Sequence, residues 1–197
     1  SEAYSASKVA AENVAIGYNA IFKKLRPNCK ILNLRAGNII GGGDFNYGRL
    51  LPDIAHSLKN NNILNIRSLA STRPWQHVLE PVLGYLRLAE LYYDNPSREF
   101  ETYNFGPDIS HNVSVKTILQ IVHAVGYDIR FEEKKNESFK ESTLLALNSE
   151  KLRRVIEYDN TLSLAQTIKI TIDWYMKYYN GHDPLQLIFD DMENFCK

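Results

Sequence analysis

Short apolar runs alternate with longer amphipathic stretches along this chain, and that alternation restricts its architecture more than any other feature. From Ala3 to Leu25 the apolar residues Val14, Tyr18, Ile21, Phe22 and Leu25 fall at i, i+4, i+7, i+8 and i+11, the stripe of an amphipathic helix, and Pro27 ends it. The next run, CKILNLR, is apolar, β-compatible and too short for a helix. Gly37 and a Gly41-Gly42-Gly43 turn follow it, so a buried strand is expected over residues 29–35 with a functional loop behind it. Further on, the pattern predicts a helix over 49–59, a strand at ILNIR, a loop to Arg73, a brief strand at WQHV and a helix over 80–93. TYNFG then reads as a strand, SVKTILQIVHAVG as a helix capped by Gly126, and YDIRFEE as another strand. Ser163 and Gln166 form a capping-box pattern for a last long helix that ends at Gly181. Ala165, Ile168, Ile172, Tyr175 and Tyr179 line one of its faces. Strands alternating with helices make this an α/β chain whose first sheet is parallel.

Composition narrows the function classes. Lys plus Arg number 23, Asp plus Glu also 23, and the formal charge is zero, which removes the electrostatic basis for binding nucleic acid. The two cysteines, Cys29 and Cys196, have neither metal-ligand spacing nor the density of a disulfide framework. Reduced thiols in a cytoplasmic protein are expected, with no metal site. No run of 18 apolar residues and no basic-then-apolar leader occurs, so neither a membrane span nor a signal peptide is expected. The 197 residues are enough to bury a core as one domain, or to be a piece of something larger.

The residues able to do chemistry begin with Tyr4 and Lys8. At i and i+4 they share one face of the first helix, so the ammonium can stand near the phenol and favour its phenolate. That turns a group of ordinary pKa near ~10 into a usable base. Ser5, Ala6, Ser7 and Ala11 around the pair leave room for another backbone or a flat cofactor. The tri-glycine is not a dinucleotide fingerprint, because the pattern needs a third glycine at position 46, which is Asn. It is instead a loop at the carboxyl end of a strand, where open α/β sheets bind ligands and where Asn38 comes first. In RPWQHVLEP, Arg73 is either a phosphate clamp or a surface arginine, and His77 reads as a satisfied core histidine. Asn104, in NFG, suits a phosphate, a sugar hydroxyl or a turn cap.

Taken together, YSASKVAAE, RAGNIIGGGD, LLPDI, STRPWQHVLEP, GYLRLAE and YNFGP stand in the order and spacing of the nucleotide-sugar branch of the extended short-chain dehydrogenase/reductases. Within that branch, RAGNIIGGGDF with RPWQHVLEPVLGYL is similar to the 4,6-dehydratases that act on CDP-glucose. The resemblance is strong from Tyr4 to about Gly106 and thins afterwards, where Lys140 stands in place of an expected His. It implies the C-terminal part of an NAD-binding Rossmann fold plus a smaller α/β substrate-binding domain. Residues 1–48 would belong to the first, 49–197 mainly to the second, with about 75–106 returning to the Rossmann sheet. Such enzymes bind NAD, take hydride from C4 of the glucose ring, eliminate water across C5 and C6, and return the hydride to C6. The resemblance assigns Tyr4 to the 4-hydroxyl proton, Lys8 to the nicotinamide ribose and the Tyr4 pKa, and Ile39 to the nicotinamide end. It assigns Asn38, Arg49, Leu50, Arg73 and Asn104 to the nucleoside diphosphate, and brings Ile66 and Arg67 near the base. It also implies a homodimer paired through the helix 3–25. The Gly-rich NAD loop and the Asp/Glu elimination residues of the family precede Tyr4, so the chain is expected to be the C-terminal half of such an enzyme, with an uncovered apolar face and an unpaired sheet edge. A related 4-epimerase, a decarboxylase, another dehydratase of the same superfamily, and a non-catalytic fragment that binds a nucleotide sugar or a partner chain are the alternative readings.

Overall fold

The computed structural model describes residues 3–26, 29–134 and 145–196. Helix α1 (Ala3–Leu25) leads to β1 (Asn33–Ala36) and β2 (Asn38–Ile40), followed by α2 (Leu50–Asn60), β3 (Leu64–Ile66), β4 (Thr72–His77) and α3 (Leu79–Asp94). Then come β5 (Thr102–Phe105), a 3-10 turn (Ile109–His111), β6 (Asn112–Ser114), α4 (Val115–Ala124), β7 (Phe131–Glu133), the short α5 (Glu150–Arg153), α6 (Leu164–Tyr179) and α7 (Pro184–Phe195). The chain is α/β, as its alternating pattern requires.

Pairing decides where the strands begin and end. β1 lies parallel to β5 with Asn33 opposite Thr102, so the strand expected from residue 29 starts only where it meets a partner. β7 is confined to three residues because its parallel partner β3 has only three, and the rest of YDIRFEE is irregular. β4 is longer than WQHV because it serves two neighbours: β2 runs parallel to residues 75–77 and β6 antiparallel to 72–74. Gly126 has the left-handed φ of 101° expected of a cap, although α4 itself ends at Ala124.

One apolar cluster joins Leu51 and Ile54 of α2, Ile118 and Val122 of α4, and Ile168 and Ile172 of α6 around Leu64, Ile66 and Trp75. Each fully buried aliphatic side chain of this kind contributes roughly 1.5–3 kcal/mol. A second cluster packs Leu88 and Tyr92 of α3 on Tyr103 and Phe105 of β5, with Leu34 and Ala36 of β1 beside them. The Ser163 capping box is formed: Ser163 Oγ accepts from the Gln166 N–H at 3.3 Å, and Gln166 Oε1 accepts from the Ser163 N–H at 2.8 Å. On α6, Ile168, Ile172 and Tyr175 are buried as expected. Ala165 is exposed, Tyr179 is half-buried, and Leu164, Thr167, Thr171 and Trp174 take the remaining buried positions.

Two features depart from the sequence reading. Helix α7 has no counterpart in it. Asp183, whose side chain accepts from the Gln186 N–H, and Pro184 at the first helical position are the start signal. α1 has no buried residue at all. Its half-covered positions are Glu12, Ala15, Asn19 and Phe22, whereas Val14, Tyr18, Ile21 and Leu25 of the apolar stripe remain exposed. Among the described residues, no helix is long and apolar enough to cross a membrane.

Candidate active site

β2 ends at Ile40, and the chain leaves it through the three glycines. A Cβ on Gly42 would lie 2.1 Å from the Trp174 ring, so the backbone here rests directly on the indole, and Gly43 has a φ of 87°. Tyr175 Oη donates to the carbonyls of Gly41 at 3.3 Å and Asp44 at 2.6 Å. The glycine run therefore seats the loop on α6, which accounts for its composition without a dinucleotide phosphate.

The loop, β2, the start of α2 and the start of β4 enclose a cavity of about 490 Å³. Of the residues singled out in the sequence, Tyr4, Asn38, Ile39, Arg49, Leu50, Arg67 and Arg73 all line it. Three guanidinium groups thus line one cavity in which Asp44 is the only acidic residue among the described lining residues, a balance of charge that suits a diphosphate. Asp44 is paired to Arg49 at 3.0 Å and accepts from the Asn46 N–H at 3.1 Å and the Asn46 amide at 2.6 Å. Burial pushes its carboxyl up, but these bonds and the Arg49 charge outweigh that and hold it below the usual range. Arg67 Nη2 donates to the Gly48 carbonyl at 3.2 Å, and Arg73 Nη1 to the Thr72 carbonyl at 2.8 Å.

Tyr4 stands between this cavity and a second one of about 460 Å³, which Lys8, Ala11, Glu12 and residues 33–36 of β1 also line. The Lys8 ammonium lies 5.3 Å from the centre of the Tyr4 ring, on the same helix face. In the second cavity wall, Asn33 Nδ2 is buried without a hydrogen-bond partner among the described residues. A phenol, an ammonium and an amide fit the hydroxyls of a ribose, and Ile39 offers an apolar surface on the other side of Tyr4. The residues present therefore fit the nicotinamide-ribose end of a dinucleotide.

The structure does not bring every predicted residue to this cavity. Ile66 lines a smaller adjoining recess. Asn104 lies opposite Arg35 in the β1–β5 pair and lines neither cavity. Its Nδ2 donates to the Asn148 carbonyl at 3.1 Å, and its Oδ1 is buried without a partner among the described residues. Lys140 lies outside the described residues. His77 is buried but only half satisfied: Nδ1 accepts from the Leu79 N–H at 3.4 Å, while Nε2 has no partner among the described residues. Burial pulls its pKa down to about 4.

Gln76 and Glu80 serve the framework. Gln76 Nε2 donates to the Phe105 carbonyl at 2.8 Å, and Gln76 Oε1 accepts from Tyr158 Oη at 2.9 Å. Glu80 Oε1 accepts from the N–H groups of Thr161 and Leu162 at 3.0 and 2.9 Å. Burial raises the Glu80 carboxyl pKa against those two bonds. Asp44, Ser71 and Val115 line the cavity without having been singled out. Asp44, directly behind the tri-glycine, is the one with a sequence signal.

Residues 1–106 match the NAD dependent epimerase/dehydratase family. CDP-glucose 4,6-dehydratase of Salmonella typhimurium is 34% identical over 187 residues, which are 92% of this chain and 52% of that protein. The chain thus spans about half the length of this curated relative. Among solved structures, UDP-glucose-4-epimerase from Stenotrophomonas maltophila, with bound NAD, superposes with a TM-score of 0.77 at 16% identity over 91% of this chain and 56% of that one. dTDP-glucose 4,6-dehydratase from Bacillus anthracis, in complex with NAD, gives 0.70 at 19% identity over 94% and 55%. At such identities these structures speak for the fold, a Rossmann-type α/β architecture built around NAD. With more than half its residues matched and the Tyr4/Lys8 pair beside the arginine-lined cavity, the chain belongs to the NAD dependent epimerase/dehydratase family.

Proposed function

We propose that this chain carries the nucleotide-sugar half of an NAD-dependent 4,6-dehydratase that converts CDP-glucose to CDP-4-dehydro-6-deoxyglucose. The observation that carries the reading is the convergence of Tyr4, Asn38, Arg49, Arg67 and Arg73 on one cavity, and the 34% identity to a CDP-glucose 4,6-dehydratase supports the substrate. In this reading Arg73 and Arg49 hold the diphosphate, Asn38 and Leu50 flank it, and Asn104 acts from the neighbouring strand. Ile66 and Arg67 lie toward the base. Tyr4 takes the proton of the sugar 4-hydroxyl, and Lys8 binds the nicotinamide ribose and favours the Tyr4 phenolate. NAD, when bound, supplies the transient hydride acceptor that activates C5 for loss of water. Residues 1–48 and the returning stretch 75–106 belong to the cofactor domain, and the remainder of 49–197 to the sugar-nucleotide domain.

The protein as its gene encodes it, given NAD and CDP-glucose, dTDP-glucose or GDP-mannose, is expected to form the alkali-absorbing 4-keto-6-deoxy product from CDP-glucose alone. Product from dTDP-glucose alone would overturn the base assignment, and interconversion of C4 epimers without dehydration would make the enzyme an epimerase. The same reading makes it a cytoplasmic homodimer that buries the exposed stripe of α1. A monomer by light scattering of the full-length protein would remove that assignment.

A further inference from the structure

A recess of about 80 Å³ lies beside the arginine-lined cavity. The two share Gly48, Leu50, Arg67 and Val115, so they stand wall to wall. Four aliphatic residues line the recess, with Leu64 and Ile66 buried and Leu50 and Val115 half-buried, and Asn65, Arg67 and Ser68 contribute polar groups to it. Beside them stands one carboxylate, Asp53, the only acidic residue of the lining among the described residues. The Gly48 N–H donates to Asp53 Oδ1 at 3.2 Å, and the Gly48 carbonyl accepts from Arg67 Nη2 at 3.2 Å, so the backbone of one glycine fixes both charged groups. Asp53 Oδ2 accepts no hydrogen bond from the described residues. Asp53 is half-buried, and burial raises its carboxyl pKa against the Gly48 bond and the Arg67 charge.

The four aliphatic side chains suit the face of a flat ring, and the acceptor-only carboxylate beside them favours a ring that offers a donor. Cytosine presents a 4-amino donor where uracil and thymine present a carbonyl oxygen. We propose that Asp53 is the specificity residue of the site, selecting cytidine nucleotides by accepting a hydrogen bond from the cytosine 4-amino group. Against uracil or thymine the same carboxylate meets a second acceptor and is left unpaired, which rejects them. The inference rests on the nucleotide-sugar reading of the cavity.

Asp53 also occupies the first turn of α2, where a carboxylate favours the helix. Asp53→Asn separates the two roles, because the amide keeps an acceptor for the Gly48 N–H and presents a donor in place of the second acceptor. CDP-glucose and UDP-glucose are titrated calorimetrically into the unaltered protein and the D53N variant, with circular dichroism melts of both. The unaltered protein is expected to prefer CDP-glucose by roughly ten-fold or more, the usual discrimination of a base-edge contact. The variant is expected to lose or invert that ratio, with UDP-glucose bound more tightly than before. An unchanged ratio in a folded variant overturns the assignment of Asp53 while leaving the nucleotide-sugar site intact. A folded, unaltered protein that binds neither ligand removes the nucleotide-sugar reading and this inference with it.

Discussion

Acid should unfold this protein partly through one imidazole. His77 is 2% exposed, and its pKa is drawn from 6.5 to about 4 by burial, so the folded state keeps the ring neutral where the unfolded chain protonates it. The sign follows: the contribution is complete above pH 6.5 and is lost as the pH falls toward 4. At about pH 5 the unfolded imidazole has taken up its proton over ~1.5 pH units while the folded one has hardly begun. At ~1.36 kcal/mol per unit this costs about 2 kcal/mol. His77→Asn removes the titration and retains an acceptor near the place of Nδ1, which holds the Leu79 N–H. Urea unfolding of both proteins at about pH 7.5 and about pH 5 gives the four free energies. The variant is less stable at the higher pH because the smaller side chain leaves a void. The decisive quantity is the change with pH: the unaltered protein should lose about 2 kcal/mol more than His77→Asn between the two conditions. Equal losses would show that His77 is not held neutral by its surroundings.

Other perturbations probe separate parts. Tyr4→Phe in the full-length protein should abolish turnover while leaving CDP-glucose affinity within a few-fold, and retained turnover would exclude Tyr4 as the base. Arg73→Ala should weaken CDP-glucose binding by roughly ten-fold or more, since a charge-assisted bond contributes ~1.5–3 kcal/mol, and calorimetry reads the change directly. Gly42→Ala forces a methyl group against the Trp174 ring and should cost about 1–3 kcal/mol in urea unfolding; no loss would mean that the indole moves aside freely. Ser163→Ala removes the acceptor for the Gln166 N–H and should cost about 1 kcal/mol, checked in the same way.

The site was legible where a residue type carries its own chemistry. The Tyr4/Lys8 spacing, Asn38 and Arg73 stood out in the letters, Ile39, Arg49, Leu50 and Arg67 came only through the resemblance, and seven of these residues line one cavity. Asp53 was invisible because an acid in the first turn of a helix needs no further explanation until β3 and α4 are seen to wall it in. His77 was read as satisfied, yet no sequence reports whether the second nitrogen of a buried ring finds a partner. Strand limits were misjudged for a related reason: β1 and β7 begin where their partners begin, and pairing over long separations leaves no local trace. Helix α6, by contrast, was legible down to its capping box, because a helix makes its own hydrogen bonds.

The same property leaves α1 with little hold on its neighbours. Glu12 grips Arg35 through two bonds of 2.5 and 2.6 Å, and Lys23 meets Glu99 at 2.5 Å, all on exposed surface. Exposed pairs of this kind contribute little and weaken as salt rises. Tyr4 rides on that helix, so its distance from the arginines follows the placement of α1, whose Val14, Tyr18 and Ile21 are exposed. A partner that closed over that stripe would therefore also set the reach of the tyrosine, and the two events would be thermodynamically linked.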